Sequence, residues 1–441
     1  SWADAGHEVA WAQFAVPFPT PEVQPVDVAT LPALTLVESD TQATMAGPDF
    51  QLAFDKQAGT IAMLNYQGHN LLVNGPKANF WRAPTENDLT MGGDERAAQR
   101  WREIGLDRLE EHVETVTVNQ PAPQVVEITV TSVFAPDADF VAPVASGPEQ
   151  QIEGIMQFLS WALDKEMLHA FCDHLNTPYD SLPGTIKAAK LKGLLAPFVQ
   201  ENRLQELMLG LYQFLKEAAP EKVRPEFEAR LFQQQMGAPE AKAPARFECA
   251  YTYTIYGSGD IVIEHHVRPD VPGLPFLPRI GLQMTLPGGY EQFTWYGRGP
   301  HETYVDRNYG AQVGVYSGTV DEQYVPYIVP EENGNKTDVR WVTLTNDVGV
   351  GLLAVGASEV SAHHYTTQDL TEATHTYELQ RRDDITLNLD YAQSGLGSAS
   401  CGPGRRPEYQ LKPVETRYRV RLRPFSQAAE SPMALSKQVI E

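Results

Sequence analysis

Cysteine is scarce in this chain. Cys172, Cys249 and Cys401 are the only three, an odd and scattered set that makes neither a disulfide framework nor a metal spacing. That usage points to a reducing compartment, the cytoplasm. Long hydrophobic runs are missing too: none approaches the roughly 20 residues of a membrane span, so no membrane partner is expected. Positive charge is in deficit, with 34 Lys and Arg against 57 Asp and Glu and a net charge of -23. Nucleic acids and anionic membranes need a basic footprint and are excluded as partners, whereas a neutral sugar is indifferent to the sign. There is no initiator Met and no leader, so Ser1-Trp2-Ala3-Asp4 reads as a cut inside a longer polypeptide, with the chemistry expected in the part beyond it. What remains is ordinary globular material. Hydrophobic residues at 42% and charged ones at 21% argue against disorder, and 441 residues suffice for two or three domains.

The hydrophobic pattern is mostly that of strands. After a first strand in Gly6 to Phe18 and a connector with prolines at 17, 19, 21, 25 and 32, Phe50–Phe54 and Ile61–Tyr66 read as a hairpin around Asp55–Gly59. Val126, Ile128, Val130 and Phe134 alternate with Glu127, Thr129 and Thr131, which predicts a half-buried strand. Its natural partner is Phe247–Ile255, which turns through Gly257–Asp260 into Ile261–Arg268. Trp341–Thr345 and Val350–Val355 make another pair. Tyr418, Val420 and Leu422 alternate with Arg419, Arg421 and Arg423, one buried face and one basic, before residues that look frayed.

Roughly 110 residues separate Phe134 from Phe247, far more than an ordinary connection, so something is inserted there. In that stretch the period changes. Ile152, Ile155, Met156, Leu159 and Leu163 recur at helical spacing, Leu204, Leu207, Met208, Leu211 and Leu215 repeat it, and Leu191, Leu194, Leu195 and Phe198 lie between. The expected organisation is a closing strand and linker at 1–34, a β region at 35–136, an inserted helical bundle at 137–244 and the rest of the β region at 245–441. His169, Cys172 and His174 lack a fourth ligand, so no metal is expected on them.

Four stretches carry polar residues of chemical interest. Phe293–Asp306 starts as a strand and breaks at Gly297, Gly299 and Pro300, beyond which come His301, Glu302, Tyr304, Asp306 and Arg307; by composition it is a strand end with a solvated loop, or a cluster of the kind a sugar site or a subunit contact uses. Asn79–Asp88 invites a Glu86–Asp88 acid and base pair, but neighbours at i and i+2 do not flank one substrate. His363-His364 offers a base or, more simply, polar strand-end residues. Gly395–Gly404 holds four glycines and a proline, which let backbone approach a ligand. Cys401 within it is either a site residue or a small packed thiol.

Trp295-Tyr296-Gly297-Arg298-Gly299-Pro300-His301-Glu302-Thr303-Tyr304, followed by Tyr327–Gly334, resembles the carboxy-terminal small-chain domain of the family 2 β-galactosidases. The resemblance implies a mainly β fold, an antiparallel supersandwich like that of galactose mutarotases over about residues 35 to 425, preceded by the last strand of an immunoglobulin-like domain. It implies a retaining glycosidase acting on terminal β-galactosides such as lactose. Such chemistry uses two carboxylates about 5 Å apart. In the family both lie on a central α/β barrel that this chain lacks, so no catalytic residue and no cofactor is expected here, although full-length relatives often use Mg and Na in their other domains. Arg82, Asn87 and Asp88 match the family's "RAP…ND" signature, after which Met91, Gly92, Gly93 and Asp94 fall on a mobile loop at the active-site mouth. Arg298, His301 and Glu302 match the motif without an assigned task. Gly395–Gly404 aligns with a loop that carries a Trp into the site in the best-known relatives, and here Ser400 and Cys401 would line the entrance. The partners implied are the galactoside and the barrel of the same polypeptide.

Two further resemblances stand beside this one. Cys172–Lys190 with Asn202–Leu207 is similar to bacterial effector-associated domains of death-like fold, implying self-association or adaptor docking, with a passive insert as the alternative. The supersandwich also resembles aldose epimerases, in which His301-Glu302, or His363-His364 with Glu359, would interconvert anomers. A non-catalytic carbohydrate-binding or assembly subunit is the third reading.

Overall fold

The structure, a computed structural model, describes residues 25–89, 96–137, 139–140, 163–201, 203–220 and 243–440, with residues 4, 7, 8, 10–14, 16–18, 23, 156, 159 and 160. It divides into two compact units, a β unit of Ser1–Phe140 with Ala243–Glu441 and a helical unit of Val141–Lys242.

The β unit opens with a five-stranded meander, β1 (Thr35–Glu38), β2 (Gln42–Ala46), β3 (Phe50–Asp55), β4 (Thr60–Tyr66) and β5 (His69–Asn70). The Asp55–Gly59 turn forms as expected: the Asp55 carboxylate accepts from the backbone N–H groups of Gln57 and Ala58 at 2.8 and 2.9 Å, and Gly59 takes φ +64°. Next come β6 (Asn74–Asn79), β7 (Leu109–Ala122), β8 (Val125–Pro136), β9 (Arg246–Tyr256) and β10 (Ile261–Asp270). The remaining strands are β11 (Arg279–Leu286), β12 (Gln292–Gly299), β13 (Gln312–Thr319), β14 (Trp341–Thr345), β15 (Val350–Val355), β16 (Glu359–His363), β17 (Ile385–Gln393) and β18 (Thr416–Ser426). They form a nine-stranded antiparallel sheet in the order β13-β12-β14-β15-β18-β10-β9-β8-β7 and a four-stranded one in the order β16-β17-β11-β6. The fold is therefore mainly β and antiparallel, interrupted by a helical unit.

The alternation that predicted β8 sets its register. Phe134 pairs with Phe247 and Val126 with Ile255, so the strands on either side of the helical segment lie next to each other. Val126, Ile128 and Val130 are fully buried, and Phe80 stacks on Phe247 with ring centroids 4.0 Å apart. β14 and β15 pair as expected.

The two ends differ from expectation. The described residues among 6–18 carry no strand, and the others of that stretch lie outside the description. The last residues are not frayed. A short helix at Pro432–Ser436 buries Leu435, and Ile440 is buried as well. The reason lies in the basic face of β18. Arg421 donates to the carbonyls of Leu435 and Gln438 at 2.5 and 2.8 Å, Arg419 donates to that of Ile440 at 2.6 Å, and Arg423 pairs with Asp260 and Glu430. A guanidinium carries five N–H donors that need acceptors once water is excluded, and here backbone carbonyls accept from them.

The helical unit contains helices Lys165–His174, Lys187–Gln200 and Leu204–Ala218 around its own apolar core. Leu159, Leu163, Leu191, Leu194, Leu195, Leu207, Leu211 and Leu215 are buried there, as their spacing predicts. Ile152 and Ile155 lie outside the described residues. Cys172 is buried in that core and His169 stacks on Tyr179, with ring centroids 3.6 Å apart.

Candidate functional site

The loop after β17 is held by residues more than 300 positions earlier. Arg82, fully buried beyond β6, donates to the carbonyl oxygens of Ser394 (2.5 Å) and Gly395 (3.4 Å). Its guanidinium also pairs with Asp88 at 3.0 Å, and Arg405, at the far end of the loop, pairs with the same carboxylate at 2.5 Å. Burial opposes the charge on Asp88, but the two guanidinium groups outweigh it and hold the carboxyl below its usual range. Asp88 is thus locked in ion pairs. Glu86 beside it is exposed, and its backbone N–H donates to Glu331 at 2.8 Å, so the two acids face different surroundings.

Asn87 spans the loop from below. Its amide donates to the Gly397 carbonyl (3.0 Å), and its carbonyl accepts from the backbone N–H and hydroxyl of Ser400 at 2.9 and 2.8 Å. Asp306 grips the other end, accepting from Leu396 N–H (3.0 Å) and Gly397 N–H (2.7 Å). A Cβ on Gly395 would come within 2.5 Å of the Asp306 carboxyl carbon, so only glycine lets the carboxylate approach this closely. Cys401 sits exposed at the outer part of this clamped loop.

Asp306 also borders a cleft of about 680 Å³, which begins where β12 ends in a cis Gly299-Pro300 bond. His301, Glu302, Arg307, Tyr309 and Lys336 lie along it. Glu302 is engaged on every side, accepting from Arg307 (2.6 Å), Gly334 N–H (2.8 Å) and the Tyr327 hydroxyl. Lys336 is buried beside it, donating to the Gly334 carbonyl at 3.0 Å and lying 5.0 Å from the Trp295 ring centre. Burial lowers its pKa to about 8. Arg298 is occupied elsewhere: it pairs with Asp338 and donates to the carbonyls of Asn308 and Ala311, fixing the turn that carries Tyr309. His301 is exposed on the cleft.

A third polar group lies inside. Arg279 pairs with Glu332 (3.1 Å) and Asp390 (2.9 Å), while Glu359 accepts from Asn335 (2.7 Å) and Gln393 N–H (3.2 Å). Burial pushes Glu359 up to about 7 and Asp390 to about 8. His363, on the same strand as Glu359, donates from Nε2–H to the Asn333 carbonyl, 2.9 Å away; burial lowers its pKa to about 4. His364 contacts Glu291 and Arg381. Both histidines are strand-end residues, yet they are buried rather than solvated. Neither they nor Glu359 borders the cleft, and the one His–acid pair that does, His301-Glu302, has its carboxylate already bonded to three donors. That arrangement disfavours the epimerase roles.

Asp306 belongs to the polar cluster that sequence reasoning offered as a sugar site, whereas Arg405 and Lys336 were not singled out. Arg405 follows directly on the glycine loop and Lys336 on the Glu331–Gly334 motif, which were the available signals. Met91, Gly92, Gly93 and Asp94 lie outside the described residues. Among the described residues, no three His, Cys, Asp or Glu side chains group to hold a metal ion.

Solved structures offer a weak likeness. An aldose epimerase homologue from C. elegans aligns over 90% of this chain and 99% of its own at 9% identity, with a TM-score of 0.35, and galactose 1-epimerase from Lactobacillus acidophilus at 8% with 0.34. At these scores the alignments carry no argument. Curated sequences are nearer: β-galactosidase of Priestia megaterium is 30% identical over 93% of this chain, and that of Vibrio vulnificus YJ016 24% over 97%. This chain spans 29% and 31% of those two proteins. The model of the beta galactosidase small chain matches residues 46–153 and 203–422. The match thus runs through the Arg82–Asp88 signature, the cleft and the clamped loop and passes over 154–202 in the helical unit, and the chain belongs to the beta galactosidase small chain family.

Proposed function

We propose that this chain is the carboxy-terminal part of a cytoplasmic family 2 β-galactosidase, a retaining glycosidase of terminal β-D-galactosides such as lactose. In this reading the chain completes the mouth of a site whose two carboxylates, and whose Mg and Na, belong to the barrel and other domains of the same polypeptide. The observation that carries it is the clamp: Arg82, Asn87 and Asp306, scattered over the motifs, converge on the backbone of Ser394–Ser400, and Asp88 holds the guanidinium groups of Arg82 and Arg405 beside it. A loop fixed by so many bonds is preorganised to present one face to a sugar. Ser400 and Cys401 then line the aglycone side of the entrance. A thiol offers less apolar area than an indole and no π face, so Cys401→Trp should tighten initial substrate binding by roughly 1 kcal/mol while changing bond cleavage less. The test is hydrolysis of nitrophenyl β-galactoside. The longer polypeptide should turn it over with retention at the anomeric carbon, and this chain alone should not. Turnover by the chain alone, abolished by changing one of its own carboxylates, would overturn the reading.

The helical unit is proposed as a self-association or adaptor-docking module, following the sequence likeness to effector-associated domains. Light scattering of the isolated unit tests this: oligomers support it, and a strict monomer at high concentration contradicts it.

A further inference from the structure

The cleft beside the clamped loop has donors and acceptors in excess of what the fold uses. Lys336 is 1% exposed and borders the cleft, yet among the described residues its ammonium has one hydrogen-bond acceptor, the Gly334 carbonyl, and no carboxylate at ion-pair distance. An ammonium carries three donors. The Trp295 ring faces it at 5.0 Å, which leaves donor capacity for something in the cleft. Tyr309, at the rim, is 86% exposed and presents a bare aromatic face. Between them lie carboxylates and a guanidinium, Glu302, Asp306 and Arg307.

The mixture decides the ligand class. An inorganic or organic anion would meet the Lys336 and Arg307 cations but also Glu302, Asp306 and Glu322. A cation would meet those acids but be opposed by the two bases. A neutral polyol suits both, because each hydroxyl donates and accepts at once, and the apolar C–H face of a pyranose stacks on an exposed aromatic ring. A volume of about 680 Å³ falls in the range of small-molecule sites and admits a mono- or disaccharide. We propose that the cleft between His301 and Lys336 is a saccharide-binding site in its own right, with Lys336 donating to a sugar hydroxyl and Tyr309 stacking on the ring. The site goes beyond the galactosidase reading, since binding here needs no catalytic carboxylate.

The experiment uses the 441-residue chain, with galactose, lactose and inorganic phosphate as probes, read by calorimetry and by saturation-transfer NMR. At least one sugar should bind, with a dissociation constant on the order of 1 mM. Tyr309→Ala, an exposed change that leaves the fold alone, should weaken binding about fivefold, the loss of one stacking contact. Lys336→Met should weaken it further and remove the magnetisation transfer to the sugar. Absence of sugar binding, sugar binding unchanged in both variants, or phosphate binding tighter than either sugar would each overturn the proposal. None of these results bears on hydrolysis by the longer polypeptide, so the two readings fail separately.

Discussion

The two units bury polar groups in different ways. The helical unit is filled largely by leucines, and the one buried charge among its described residues, Lys190, is met by the carbonyls of Tyr179 (3.1 Å) and Leu182 (2.7 Å) and by the Tyr179 ring. The β unit buries Arg82, Asp88, Arg279, Glu332, Asp390, Glu359 and Arg405, and two of its ion pairs, Arg279–Glu332 and Arg405–Asp88, join residues 53 and 317 positions apart. Buried ion pairs are weak contributors to net stability, since desolvation cancels much of the attraction, but breaking one by removing a partner is strongly destabilising. An apolar bundle needs only periodicity. The β unit's ions instead fix loops that carry no periodicity at all, and that is where its candidate site lies.

Asp88→Ala breaks the comparison at its strongest point. It leaves Arg82 and Arg405 buried without their shared carboxylate and should cost about 3–5 kcal/mol. Urea titration followed by near-ultraviolet circular dichroism should show the β unit destabilised and the helical unit not; a loss under 1 kcal/mol would mean that water reaches the arginines. Leu194→Ala is the counterpart in the helical unit. Removing this buried side chain should cost roughly 2–5 kcal/mol there. In a calorimetric scan, the β transition should stay in place while the helical one moves down, and a common shift of both would show that the units unfold together.

Protonation sharpens the contrast. His265 and His363, both fully buried in the β unit, have pKa values lowered by burial to about 3 and about 4. The unfolded chain takes up these protons below about pH 6.5 and the folded chain does not, so their contribution is intact above that pH and falls by about 1.4 kcal/mol per unit for each histidine as pH drops toward the folded values. Glu359 and Asp390 work in the opposite direction. Raised to about 7 and about 8, they keep protons that the unfolded chain releases, so their contribution declines as pH rises from about 4 to 8. Subtracting the profile of His363→Gln from that of the native sequence isolates one histidine: the difference should shrink with acidification between pH 6.5 and 4, and a flat difference would place water beside His363. The smallest effect is expected from Asn87→Ala. It removes bonds to Gly397 and Ser400 on a partly exposed loop, worth about 1 kcal/mol of stability, and should speed thiol modification of Cys401 several-fold.

This difference also explains what was legible in the sequence. Strand alternation predicted β8 and its pairing of Phe134 with Phe247, and the switch to helical spacing predicted the leucine core, because both follow from periodic burial. The glycine loop and the motifs were visible as strings. Their convergence was not. Nothing in the pattern says that Arg82 meets Ser394 and Gly395, or that Asp306 caps Leu396 and Gly397, because an ion or hydrogen bond between distant segments has no period. No pattern in the sequence marks Lys336, and Arg421 reads only as part of a basic strand face; each is buried because a carbonyl and its neighbours take the donors that water would otherwise hold.

The central claim is that the clamped loop faces the sugar. In the proposed longer polypeptide, the rate of thiol modification at Cys401 can be followed by peptide mass mapping with and without a bound galactoside inhibitor. Cys401 is exposed while Cys172 and Cys249 are buried, so within this chain the signal is clean. The account predicts that a saturating inhibitor slows modification of Cys401 at least several-fold. An unchanged rate, with the inhibitor shown to be bound, would place the loop away from the sugar and contradict it.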